Sequence, residues 1–167
     1  LPVIMDPIYG YQAVNVEAQQ RNPGSLLNWT RKMIEIRKRH PVFGLGSYVE
    51  LPASNPSVLA FVREYGDDRV LCVNNLSRFP QPVELDLRRF EGCTPVECMG
   101  GVQFPAIGEL PYLLTLPGHG FYWFVLPPPP GGWPDGSGAA EQSLREQSDR
   151  GADFPADPSQ ETRQTAK

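Results

Sequence analysis

The side chains best suited to chemistry in this 167-residue chain are three cysteines, Cys72, Cys93 and Cys98, and two histidines, His40 and His119. Thiolates and imidazoles are zinc ligands, and a Ser or Cys beside a His can act as a nucleophile. The surroundings of these residues argue for simpler roles. Cys72 lies inside the apolar run Arg69–Leu76, where a cysteine serves as a small hydrophobe. His40 closes a helical stretch, where the dipole favours it, and His119 sits between glycines in the turn sequence Pro117-Gly118-His119-Gly120. No metal site and no cofactor are expected. An odd number of cysteines makes no disulfide framework and points to a reducing compartment, hence to the cytoplasm. Asn28-Trp29-Thr30 and Asn75-Leu76-Ser77 fit the glycosylation acceptor pattern, but no secretion signal accompanies them, so they are expected to stay unmodified.

Charge narrows the function classes further. The net charge of -4 argues against general affinity for nucleic acid or anionic membrane. The basic cluster Arg31, Lys32, Arg37, Lys38 and Arg39 falls mostly on the polar face of one helix, near the end its dipole makes favourable for cations. Arg37 alone projects into the apolar half, between Leu26 and Thr30, and is expected to pair with a carboxylate or carbonyls there. The run Gly120–Leu126 is the longest uncharged apolar stretch, far short of the ~20 residues a membrane-spanning helix needs.

The element that must position these groups is the stretch Asn22–His40, the one long amphipathic helix in the pattern. Asn22 can cap it, Pro23 suits its first turn and Pro41 ends it. Ile36, Trp29, Met33, Leu26, Ile34 and Leu27 cover nearly half the cylinder, wider than the ~100° stripe of a helix on one neighbour. Such a helix wants two partners. Leu1–Arg21 reads as a loop rich in aromatics and amides.

After Pro41 the pattern becomes β-like. Ser47–Leu51, Ser57–Glu64, Arg69–Leu76, Gln81–Leu87, Thr94–Met99, Tyr112–Leu116 and Phe121–Leu126 read as short strands separated by Gly and Pro turns. The second and third make a hairpin across Gly66-Asp67-Asp68, and Val83, Leu85 and Leu87 alternate onto one face of the fourth. With no βαβ unit, the pattern is mainly β: an antiparallel β-sandwich preceded by one long α-helix. Pro127–Pro130 and Gly131-Gly132 form a boundary, and the acid-rich stretch that follows holds too few large apolar residues to fold, so 127–167 reads as a boundary and disordered tail. Tyr48, Phe104 and Trp123 are the aromatics that could form α-glucan platforms on the sandwich, although sandwich aromatics are more often core.

Tyr11-Gln12-Ala13-Val14-Asn15-Val16 with Gln19, followed by Lys32-Met33-Ile34-Glu35-Ile36-Arg37-Lys38, resembles the end of the catalytic barrel in the oligo-glucosidase branch of the α-amylase superfamily. The longer words DPIYGYQAVNVEAQ, SLLNWTRKMIEIRKRHPVFGLGS, NPSVLAFVREYGDD, LCVNNLSRFPQPVELDL and FPAIGELPYLLTLPGHGFYWF are similar to the C-terminal part of the actinobacterial trehalose synthase family, whose members interconvert maltose and trehalose. The resemblance spans about 1–126. It implies that 1–43 is the last loop and helix of an incomplete (β/α)₈ barrel and 44–126 the C-terminal antiparallel β-sandwich domain. It also implies a chain that is a portion of a longer enzyme, in keeping with an opening residue other than Met.

The retaining chemistry of that family needs two carboxylates about 5–5.5 Å apart. Its motifs of the GFRLDA and NHDE type do not occur here, so no catalytic, substrate-binding or metal role transfers to any residue. Tyr9, Tyr11, Gln12 and Asn15 would lie in the last barrel loop, with a structural role preferred over a place on the active-site rim. The implied role is a non-catalytic structural or assembly domain. Its implied partner is the missing catalytic barrel of the same parent enzyme, with a homo-oligomer or a maltokinase reached through the sandwich. The competing reading is an independent module that binds α-glucan or a partner protein. The barrel reading predicts that Leu26, Leu27, Trp29, Met33 or Ile34 is more exposed than its type warrants.

Overall fold

The computed structural model describes residues 6–11, 14–129 and 132–133. The tail expected to be disordered lies, from residue 134 onward, outside the described residues.

Two helices open the structure where a loop and one helix were expected. The first, α1, spans Val16–Arg21, and Asn15 caps it by accepting from the Ala18 N–H at 2.8 Å. Six residues are too few to display a helical period, so the sequence pattern hides it. The second, α2, spans Leu26–Arg39 and is capped by Ser25 rather than Asn22. Asn22 instead folds its side chain onto the Gly24 N–H at 3.0 Å, which forms a turn that delays the helix by one residue group. A short α3, Val42–Leu45, follows the Pro41 break.

Seven strands follow: β1 Val49–Leu51, β2 Val58–Tyr65, β3 Asp68–Asn75, β4 Gln81–Leu85, β5 Val96–Glu97, β6 Tyr112–Leu116 and β7 Phe121–Val125. Every pairing is antiparallel. The β2–β3 turn is one residue tighter than expected, because Asp68 already pairs with Tyr65. Gly66 supplies the positive φ that a two-residue hairpin needs at its first central position.

The strands form a five-stranded sheet, ordered β1-β2-β3-β7-β5, and a two-stranded sheet of β4 and β6. Alternation decides which side chains fill the space between them. Val58, Ala60 and Val62 from β2, Leu71 and Val73 from β3, and Phe124 from β7 face Val83 and Leu85 from β4 and Leu114 and Leu116 from β6 in one core. The other face of the large sheet forms a second cluster, where Val70 and Cys72 pack under Ile36, Val42 and Phe43. Both faces of β3 are therefore covered, which is why its apolar run is nearly continuous. Arg63 fastens α3 to β2 by donating to the carbonyls of Val42 (3.0 Å) and Gly46 (2.7 Å).

Candidate functional site

The helical layer carries open apolar surface. Asn28 joins α1 to α2 by donating to the carbonyls of Gln19 (3.0 Å), Gln20 (3.2 Å) and Asn22 (2.8 Å). Gln19 answers by accepting from the Leu27 N–H at 3.0 Å. The pair touches the sheet along a narrow line, with Ile36 buried and Trp29 meeting Phe121 edge-on at 6.4 Å. The rest of the apolar half is uncovered in this chain: Leu26 is 71% exposed, Ile34 49% and Trp29 43%. Leu27 and Met33 are only half-buried, so none of the five residues singled out for this question is fully covered. Val14 and Val16 are exposed as well, as are Ile8, Tyr9 and Tyr11 on the segment before α1.

Arg37 corrects an expectation. It is exposed, because the side of α2 that it shares with Leu26 and Thr30 opens to solvent, so the ion pair expected of it is not made among the described residues. Asn15 takes the structural role anticipated for its loop, as the α1 cap that also donates to the Tyr11 carbonyl at 3.1 Å. Gln12 lies outside the described residues.

The candidate ligand residues are dispersed. Cys72 faces the helical layer, where burial, with Cys98 nearby, pushes its thiol up to about 12. Cys93 lies in the inter-sheet core and burial raises it to about 11. Cys98 is half-buried beside β7 and raised to about 11, again chiefly by burial. His119 occupies an exposed turn with φ 53, and His40 faces Asp68 with Nδ1 3.5 Å from Oδ1. Among the described residues no group of three or more His, Cys, Asp or Glu could hold a metal ion. No helix among them is long and apolar enough to cross a membrane.

Most of the candidate sugar platforms are engaged. Trp123 packs against Phe43 at 4.8 Å, and Phe104 sits between Tyr122 at 5.5 Å and Phe124 at 4.8 Å. Tyr48 is exposed, with its ring 4.9 Å from that of Phe61. Both acceptor-pattern asparagines are structural. Asn28 binds the α1 carbonyls, and Asn75 is buried, donating to the carbonyls of Phe79 and Pro117, each at 2.8 Å.

Sequence reasoning missed two features. One is the buried Arg69, in contact with Glu64 and covered by Trp133 from beyond the proline run. The other is an open groove of about 630 Å³ beside β6. Its only sequence signal is Tyr-Leu-Leu-Thr-Leu, an edge-strand sequence without a charge or a proline.

Comparison with known proteins follows the same outline. Residues 48–123 match the family described as maltogenic amylase, C-terminal domain. The chain is 68% identical over 133 residues to trehalose synthase of Pimelobacter sp. (strain R48), a match that takes 77% of this chain and 23% of that protein. It is 65% identical over 129 residues to trehalose synthase/amylase TreS of Mycobacterium tuberculosis (strain ATCC 25618 / H37Rv), covering 75% of this chain and 22% of that protein. Among solved structures, an isomaltulose synthase mutant from Erwinia rhapontici NX5 in complex with D-glucose superposes with a TM-score of 0.52 at 25% identity, over 74% of this chain and 21% of that one. The chain thus spans about a quarter of the length of the curated relatives it matches. The antiparallel sheets, the domain match and the long identities together assign the chain to the trehalose synthases of the α-amylase family, with residues 48–123 as its amylase-type C-terminal domain.

Proposed function

We propose that this chain is the C-terminal part of an enzyme that interconverts maltose and trehalose by retaining glycosyl transfer, and that its own contribution is non-catalytic. In this reading 1–43 belongs to the catalytic barrel, 44–126 is the sandwich that supports it and 127–167 is an appended tail. The observation that carries the reading is the uncovered part of the apolar half of α2. A soluble helix that leaves Leu26, Trp29 and Ile34 open is suited to burial against further structure, and the outer helix of a (β/α)₈ barrel is buried on strands and between neighbouring helices. The chemistry itself needs a closely spaced carboxylate pair, and none of this chain's acids falls in a motif of that kind. Three free cysteines, Cys72 and Cys93 buried and Cys98 half-buried, support a reducing, cytoplasmic setting. Self-association or a maltokinase partner through the sandwich belongs to the same reading.

The test is enzymatic. The purified chain is expected to convert no maltose to trehalose, followed by proton NMR of the anomeric signals. A fusion that supplies the barrel of the Pimelobacter relative ahead of α1 is expected to convert it, and Leu26→Asp in that fusion to lower its activity. Turnover by the 167-residue chain alone overturns the proposal. The competing glucan-module reading rests on Tyr48, and retention of the chain on insoluble α-glucan is the result that would favour it.

A further inference from the structure

The two edges of the small sheet are built differently. On the β4 side, Glu84 gives its N–H to Ser54 Oγ (2.9 Å) and accepts from the Ser54 N–H (3.3 Å). The Pro82 carbonyl accepts from Asn55 at 2.9 Å, and Pro82 has no N–H to leave open. That edge is covered. These bonds also fix the ladder on the other side. Both backbone groups of Glu84 point away from β6, so its pairing with Leu113 is a non-hydrogen-bonded one, as is that of Pro82 with Thr115. The N–H and C=O of Leu113 and of Thr115 therefore point away from β4, out of the free edge of β6. Among the described residues no hydrogen bond takes them up.

What lies beside that edge is a groove, not bulk solvent alone. It holds about 630 Å³ between β6 and a wall of Phe104, Pro105 and Ala106, with Tyr122 also lining it. Leu110 (82% exposed) and Leu113 (64%) stand open at its rim. Edge strands are normally blunted by a charge, a proline or a bulge, because a row of open backbone groups recruits another strand. β6, Tyr-Leu-Leu-Thr-Leu, carries neither charge nor proline.

We propose that this groove takes an extended peptide segment, which adds a third strand to the β4–β6 sheet along Leu113 and Thr115. Donors and acceptors repeated every second residue match an extended backbone. Among the described residues Glu109 is the only charged one that lines the groove, so the occupant carries a basic residue that reaches it. The adjoining side chains of the peptide are uncharged and pack toward Phe104 and Tyr122, whose rings engage each other and Phe124 and are not free faces for a sugar. The inference is independent of the enzymatic reading, since it concerns a surface of this chain alone.

The experiment is an NMR titration of the full 167-residue chain with an acetylated, amidated Lys-Val-Thr-Val-Thr peptide. The amides of Leu113 and Thr115 are expected to shift and gain protection from exchange. Leu113→Pro removes the groove-facing N–H, exchanging the rim leucine for another apolar side chain, and is tolerated on an edge strand. It should weaken binding by about tenfold, the size of one lost hydrogen bond. Glu109→Gln should weaken it in a salt-dependent manner. Three results with the unsubstituted chain overturn the proposal: no β6 amide responds to the peptide; maltoheptaose shifts those amides and the peptide does not; or they are already protected in the free protein to a degree that rises with its concentration, which would assign the edge to a second copy. Equal binding by Leu113→Pro, with its fold verified by the retained β4 amide pattern, also overturns it.

Discussion

The ring of Trp133 lies over the guanidinium of Arg69, with Cζ 3.8 Å from the ring centroid. Arg69 faces the sheet interior at the hairpin end of β3, where its paired residue Glu64 approaches it at 3.9 Å and also binds Arg89 at 3.0 Å. Phe90 meets the same indole edge-on at 6.0 Å. Trp133 thus closes the end of the sandwich over a charge that would otherwise border an opening. Trp133→Ala should lower the unfolding free energy by about 3 kcal/mol, from lost burial and the lost cation–π contact, read from urea denaturation. An unchanged midpoint would mean that the segment after the proline run contributes nothing to the sandwich.

The two faces of α2 should separate cleanly in the isolated chain. Ile36 is buried against the sheet and Ile34 is half exposed. Ile36→Ala is expected to cost about 2–4 kcal/mol, whereas Ile34→Ala should stay within about 0.5 kcal/mol. Chemical denaturation of both variants checks this. Equal costs would mean that the helix packs on a wider face than the structure has.

Asn75 is a hub with little freedom to change. Its amide donates to the carbonyls of Phe79 and Pro117, and its Oδ1 accepts from the Ser77 N–H at 2.8 Å. Asn75→Ala removes all of these bonds at a buried position; the Pro117 carbonyl keeps the Gly120 N–H at 2.8 Å while the Phe79 carbonyl loses its donor, and the change should cost about 2–3 kcal/mol, measured by thermal unfolding. Asn75→Asp keeps the Ser77 bond but places a carboxylate against two carbonyls, so it should be no milder at neutral pH.

Asp86 provides a pH readout on the surface. Its carboxylate accepts from the Arg88 side chain, with Nε at 2.9 Å, and from the Arg88 N–H at 3.2 Å. Those bonds, led by the side-chain one, hold its pKa at about 2 against an ordinary 3.8. Because the folded value is depressed, the contribution is present above the ordinary value and disappears as pH falls from there through about 2. Carboxyl-carbon NMR should place the midpoint near 2, and Arg88→Ala should return it toward the ordinary value. A midpoint near 4 in the unsubstituted chain would contradict the pairing.

Much of this molecule is legible in its sequence. The alternation Val83, Leu85, Leu87 is buried at all three positions, although β4 itself ends at Leu85, since a period of two is a local property of the chain. The β2–β3 hairpin was readable from Gly66 and its flanking apolar runs. Less local features were not. Helix α1 is too short to display a period, and Asn22 and Ser25 are equally good caps until the turn at Pro23-Gly24 decides between them. Arg37 looked committed to an apolar environment because a helical wheel gives direction but not what lies in that direction.

Sequence by itself determined which residues alternate, which stretch is helical and which words match the trehalose synthases, because propensity, period and turn chemistry act within a few residues. Tertiary structure alone decided the pairings across long separations. β7 inserts beside β3 and covers Cys72 with Trp123, and Trp133 returns to shield Arg69. It decided that Ile36 is covered while Leu26 is not. It also decided that the bonding of Glu84 to Ser54 turns the backbone of Leu113 outward, an orientation set by hydrogen bonds between distant segments and therefore absent from any local pattern.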